Sequence, residues 1–433
     1  MKKGVVFLLV ALALIVLVSP GLIGRLAERS VDEGIRTGSV ENDDMIVSAE
    51  IFSRGWFTTE GQHRIEFKDG SLADEYRSLF ELEADAPLPV LIVNTRIDHG
   101  LIPLASLGRD DGSLMPGLGD AVSTITLEMP DGETLSLPGA INSSIGLSGA
   151  VFSEYALEAG EYAAGGIGLR WGEGNVVVEM HPSDGRVLFD VAAESFAVDD
   201  GTAPFTTGPV EVSGEQRPSG YGYSLGKANV LIDSIAVNDR LIGPFAIRGG
   251  ASLDDDRIVL DTSMDLALPV AGLGDSRTLI DIEARGIEPR AFGALMRKYQ
   301  QAAEHTEQPE LVRSMLEPEA QALLAHGLTV DIPRFDVELP DGTLQSTLGI
   351  EIEATDVATF AWSDLLLDTT ANASVRVPET LMDMVLEMNP QVGVAIGMGY
   401  LKKDGDVYVS DAEYAKGLLN INGAPMPIPL PGR

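Results

Sequence analysis

Phe335-Asp336-Val337-Glu338-Leu339-Pro340-Asp341-Gly342 leads, a few residues on, into Leu348-Gly349-Ile350-Glu351-Ile352. Apolar residues take every second place, and acids fill most of the places between. Successive side chains on a strand point to opposite faces, so both runs are strands with one dry face and one wet face. Asp341-Gly342 joins them, because both residue types tolerate the positive φ of a tight hairpin turn. The same design recurs outward along the chain. Leu127-Glu128-Met129-Pro130-Asp131-Gly132 nearly repeats the first turn, and further Asp-Gly pairs fall at Asp69-Gly70, Asp184-Gly185 and Asp404-Gly405. Met264, Leu266, Leu268 and Val270 alternate with other residues, as do Val187, Phe189 and Val191. The 47 glycines and 24 prolines supply more punctuation than a helical bundle carries. The expected fold is mainly β with several helices (α+β), built on an extended antiparallel sheet.

Helical spacing interrupts this pattern. Leu72, Tyr76, Leu79 and Phe80 form a weak segment. From Pro289 to Glu304, Phe292, Leu295, Met296 and Tyr299 share one face, with Pro289 in the first turn. Leu311, Val312, Met315 and Leu316, then Pro318, Leu323 and Leu324, predict a further helix or pair stopped by Gly327. Pro378 to Met388 predicts another, with Leu381, Met382, Val385 and Leu386, ended before Pro390. The helical stretch 289–326 is the expected internal boundary, between a β-rich region at 45–288 and a shorter β-rich region at 327–433.

At the other end, Lys2 and Lys3 precede the uncharged residues Gly4 to Ile23. About 20 residues rising about 1.5 Å each span a hydrocarbon core of roughly 30 Å. The lysines keep residues 1–3 as a cytoplasmic stub and send the body across the inner membrane. A cleaved signal peptide has a shorter apolar core and a small-residue cleavage site. Here Arg25-Leu26-Ala27-Glu28-Arg29 instead continues in helical style, so residues 24–44 read as a juxtamembrane helix or linker. The expectation is a single-pass transmembrane helix at 4–23 with the body outside the membrane.

Composition narrows the function. The net charge of −36 lacks the basic patch that nucleic-acid binding requires. It also repels anionic lipid headgroups, so broad electrostatic attachment to a membrane surface is not expected. The chain has no cysteine, which removes disulfides, thiolate catalysis and iron–sulfur clusters.

Three stretches together resemble the YdgA-like family, a bacterial domain of unknown function (945) found in inner-membrane-anchored periplasmic proteins. The first is Ser53-Arg54-Gly55-Trp56-Phe57-Thr58-Thr59. The second is Ile97-Asp98-His99-Gly100 with Ile102-Pro103-Leu104, in which Leu101 stands where the family commonly has proline. The third runs from Gly399-Tyr400-Leu401 through Tyr408 to Gly417-Leu418-Leu419-Asn420-Ile421-Asn422-Gly423. The resemblance implies a periplasmic location in a Gram-negative bacterium and carries no established catalytic residues or cofactor. Read as residues, these marks are structural. Arg54-Gly55 breaks the alternation as a β-bulge would, with Phe57 just beyond it. His99-Gly100 turns the apolar strand that ends near Ile97. Gly417 lies in the C-terminal strands, and Asn422-Gly423 reads as a tight turn.

Chemistry is sparse. His63, His99, His181, His305 and His326 show no metal-ligand spacing. As a general base His99 needs an orienting acid, but Asp98 is its neighbour on a strand and points to the other face. Gly146-Leu147-Ser148-Gly149 lacks the strand–turn–helix setting of a nucleophile elbow. No catalytic, cofactor or metal residue is assigned. The expectation is a non-enzymatic envelope protein, either structural or binding a lipid or a partner's strand in a β groove. A periplasmic hydrolase with dispersed acids is the alternative. The two are separated by whether helices fill the apolar stripe as an ordinary core or leave it open.

Overall fold

The computed structural model describes residues 45–54, 58–68, 73, 77, 87–99, 117–129, 132–146, 148–164, 167–199, 204–237, 240–270, 274–303 and 309–427. The expected stub, transmembrane helix and juxtamembrane segment lie outside these residues, as do Leu72, Tyr76, Leu79, Phe80 and His305. No helix among the described residues is long and apolar enough to cross a membrane. The body is mostly antiparallel sheet with few helices, as the alternation predicts. It divides into two compact units: Met1–Arg217 with Ile232–Leu241, and Pro218–Leu231 with Ile242–Arg433.

The first unit begins with β1 (Met45–Arg54), β2 (Thr58–Phe67), β3 (Val90–His99), β4 (Gly117–Glu128), β5 (Thr134–Ser136), β6 (Ile141–Gly146) and β7 (Val151–Leu157). It continues with β8 (Gly160–Ala164), β9 (Ile167–Trp171), β10 (Gly174–His181), β11 (Arg186–Ala193), β12 (Phe196–Asp199), β13 (Phe205–Thr207) and β14 (Val210–Pro218). The main sheet is an antiparallel meander, β1-β2-β3-β4-β6-β7-β10-β11-β14, with β5 against one end of β4. Two excursions, β8-β9 and β12-β13, leave it to form a small sheet with β16 (Ile235–Val237) and β17 (Arg240–Ile242), which follow β15 (Ser224–Ile232).

One face of the main sheet is a closed core. Register sets Ile65 beside Leu91 and Leu91 beside Leu127, and in the next row Val93 beside Ile125. Ile141, Tyr155, Val176 and Val191 continue the face across four more strands. Val93, Ile125 and Ile141 are 1%, 2% and 2% exposed. Hydroxyls on this face satisfy each other: Thr95 pairs with Ser123 and Ser143 with Ser153, both at 2.8 Å. The Tyr155 hydroxyl donates to the Pro138 carbonyl at 2.9 Å, and burial pushes its phenol up to about 12. Gly139 adopts φ +97, and a Cβ there would run into the Ala156 carbonyl oxygen, so only glycine fits.

The second unit is a longer meander: β18 (Phe245–Asp254), β19 (Arg257–Val270), β20 (Gly274–Ile287), β21 (Leu328–Leu339), β22 (Gly342–Ile352), β23 (Thr369–Pro378), β24 (Lys402–Asp404), β25 (Val407–Ala415), β26 (Leu418–Ile421) and β27 (Ala424–Pro427). Each strand from β18 to β23 pairs with the next, β23 pairs with β25, and β24 lies beside β25. Helices α1 (Pro289–Ala303) and α2 (Pro309–Ala325) sit between β20 and β21 in sequence, α3 (Trp362–Leu365) precedes β23, and α4 (Glu379–Met388) and α5 (Val392–Gly397) follow it. The expected helix starts at Pro289 and Pro378 agree within a residue. The second predicted segment is one helix with Pro318 inside it. Gly327 ends it at φ +73, where a Cβ would lie 2.9 Å from the Ala354 nitrogen.

The boundary expected at 289–326 does not coincide with the division between units. Arg277 pairs with Glu338 across β20 and β21, so α1 and α2 are an excursion from a continuous ladder. The bulge expected at Arg54-Gly55 falls partly on Gly55, outside the described residues. The bulge in β1 lies between Ala49 and Ile51, while Arg54 pairs regularly with Thr59.

Candidate functional site

Alternation sorts the second unit's side chains onto two contrasting faces. On the wet face, Arg277 donates to both carboxylate oxygens of Asp265, at 2.8 and 2.6 Å. That guanidinium holds the Asp265 carboxyl below the usual range. Arg334 pairs with Asp336 at 2.8 Å, and Leu279 is buried beneath this charged layer. A cavity of about 370 Å³ opens here, lined by Arg248, Arg277 and Arg334 but also by Asp265, Asp281 and Glu338. Three cations against three acids leave no net attraction for an anion.

The dry face is different. Register places Ile247, Met264, Ile280 and Phe335 in one row across β18 to β21. Phe245, Leu266, Thr278, Val337 and Leu344 form the next row. None of these residues is buried, and Ile247 and Phe335 are 40% and 36% exposed. Leu268, at the end of β19, is 39% exposed. The stripe continues through Leu348 and Ala373, and through Ile350 and Ala371, toward β25. Cover appears at one end, where Leu381 and Met382 of α4 are 3% exposed against Val377, Leu344, Val375 and Tyr408. The first unit therefore fills its apolar face, and the second leaves the middle of its own half open. Strands about 4.8 Å apart make the row from β18 to β25 roughly 29 Å long.

The sequence-derived marks fall elsewhere. Gly55, Phe57 and Gly100 lie outside the described residues. Arg54 ends β1 at the register position opposite Thr59. His99 is the last residue of β3, paired with Gly119, and the turn expected at His99-Gly100 falls on Gly100, outside the described residues. Gly417, Asn422 and Gly423 form two hairpin turns with positive φ, Lys416-Gly417 at 51° and 81°, and Asn422-Gly423 at 50° and 83°. Asn422 is also a hub. Its Nδ2 donates to the carbonyls of Gly399 and Tyr400, 3.1 Å each, and its Oδ1 accepts from the Asp411 amide at 2.9 Å. Its own amide donates to the Asp411 carbonyl at 2.7 Å, and its carbonyl accepts from Lys402 Nζ at 2.7 Å. Asn422 thus pins the chain leaving α5 onto the C-terminal hairpin.

A family model described as a bacterial protein of unknown function, DUF945, matches residues 1–429. This chain belongs to the DUF945 family. The match covers almost the whole sequence and is consistent with the YdgA-like resemblance. No curated protein and no solved structure matches the chain.

Sequence spacing passed over one residue of this DUF945 chain. His63 lies on the closed face of the first unit, beside Val93 in register, and is 4% exposed. Among the described residues, neither ring nitrogen has a hydrogen-bond partner. Burial lowers its pKa from the ordinary imidazole value of 6.5. The folded protein therefore holds the neutral ring, and the unfolded chain takes up the proton first as pH falls. Stability is retained above pH 6.5 and declines below it. His63→Leu removes an unsatisfied polar group, worth about 1–3 kcal/mol. We expect a higher melting temperature, with a gap from wild type that widens from pH 7 to pH 5.5. Parallel melting curves across that range would contradict the neutral buried ring.

Proposed function

We propose that this DUF945 protein is a non-enzymatic envelope protein that holds an acyl chain on the half-open dry face of its second unit. Residues 4–23 tether it in the inner membrane, and its body lies in the periplasm. The carrying observation is the contrast between faces: rows that include Ile247, Met264, Ile280 and Phe335 stay partly exposed where the equivalent face of the first unit closes. Contiguous exposed apolar surface rimmed by polar residues marks a binding surface. One lipid chain spans half of a hydrocarbon core of roughly 30 Å, about 15 Å, and so fits along the stripe.

The test is a photoactivatable fatty acid added to the full-length protein, with the adducts located by mass spectrometry. Adducts on β19, β20 and β21, around Met264, Ile280 and Phe335, are expected. Adducts confined to residues 4–23 would overturn the proposal, because they would report only the lipid around the tether.

A further inference from the structure

We propose that the tip formed by α5 and Met398 is a bilayer-contact element, which seats the α4–α5 end of the stripe against uncharged lipid. Met388 to Leu401 contains no charged residue. At the chain's 22% charged content, a run of 14 would carry about three. The run is not a core segment. Val392 and Ile396 turn inward to pack on the cluster of Val377, Leu381 and Met382. Val394 and Met398 point away and are 55% and 57% exposed. Val385 of α4 adds a third exposed apolar side chain at 39%. A Cβ added at Gly397 would meet nothing within 4 Å, so the tip has open space around it. Lys402 and Lys403 close the run immediately.

Charge chooses the occupant. A body of net charge −36 is repelled by acidic headgroups, and a charge-free projection is where it can approach a bilayer without that cost. Burying valine and methionine side chains in the interface supplies the attraction. Asn422 makes the projection rigid, since its Nδ2 holds the carbonyls of Gly399 and Tyr400 just behind the tip. The contact rests on the acyl-chain reading for its purpose, because α4 and α5 pack on the face that forms the stripe.

The absence of native cysteine allows one label at a chosen place. Full-length protein carrying Met398→Cys and an environment-sensitive fluorophore is reconstituted in phosphatidylcholine vesicles containing nitroxide-labelled lipid. A second variant, Glu351→Cys, reports the wet face. The label at 398 should be quenched several-fold more than the label at 351. Adding Val394→Asp should bring it down to the control, and replacing a third of the lipid with phosphatidylglycerol should weaken it at low salt. Equal quenching at the two positions overturns the contact. So does a label at 398 that is shielded from a water-borne quencher yet untouched by the lipid nitroxide, which would mean a protein partner. Failure here with fatty-acid adducts still on β19 to β21 removes the bilayer contact alone. Quenching at 398 without those adducts removes the acyl-chain reading alone.

Discussion

Asn422→Ala is expected to lower stability by about 3 kcal/mol. Three side-chain hydrogen bonds are lost, and each contributes about 1 kcal/mol net. Alanine at φ 50° adds roughly 1 kcal/mol of strain that asparagine largely escapes. Local water will offset part of this, because the turn is only partly buried. For a unit of this size the loss corresponds to roughly 6–12 °C in melting temperature. Asn422→Gly separates the causes. It keeps the left-handed turn and loses the hydrogen bonds, so it should fall by about 2 kcal/mol. Asn422→Asp keeps the acceptor for the Asp411 amide but sets a carboxylate against two carbonyls, and should fare no better than alanine. An Asn422→Ala protein melting within a degree of wild type would show that the hub does not hold the chain behind α5.

Ile280→Arg should abolish acyl-chain binding while leaving the fold standing. Ile280 sits between Met264 and Phe335 in the middle of the stripe and is half-buried, so a guanidinium placed there can still reach water. The expected stability loss is about 1 kcal/mol. Binding is another matter. A chain lying over the stripe would cover that charge, at a cost of several kcal/mol, and each 1.4 kcal/mol is tenfold in affinity. We therefore expect at least a hundredfold loss of fatty-acid affinity, measured by displacement of a fluorescent analogue. Glu351→Arg changes charge in the same direction on the wet face and should leave affinity within about twofold. If Ile280→Arg bound as well as wild type, the stripe would not be the site.

Much of the fold was legible because alternation is a local property. Phe335, Val337 and Leu339 named a face of β21 without knowledge of its neighbours, and Asp184-Gly185, Asp341-Gly342 and Asp404-Gly405 fall at hairpin turns with positive-φ glycine. What failed depends on context. The β18–β19 turn is made by Asp255 and Asp256 at φ 45° and 60°, residues legible as loop acids but, without a glycine, not as a tight turn. The irregularity in β1 lies at Glu50, where no glycine or break in alternation announces it. The short helix α5 escaped notice because glycines at 393 and 397 mask its spacing. The candidate site was half legible. Val187, Phe189 and Val191 alternate just as Met264, Leu266 and Leu268 do, but only the first set belongs to a closed core. Whether a dry face is covered is decided by elements far away in sequence, which periodicity does not register.

The meander of the second unit also governs how the chain can acquire its structure. Nearly every strand finds its partner in the segment made just before it, so pairing can proceed in the order in which the polypeptide emerges. Long closures interrupt this order around α1 and α2, around α3, and around α4 and α5. Each makes the ends of a long excursion meet before the ladder can advance, at an entropic cost that grows only with the logarithm of its length. The β26–β27 hairpin, with Asn422 at its tip, lies beyond these closures in sequence, and its bonds to the Gly399 and Tyr400 carbonyls lock the excursion around α4 and α5 in place.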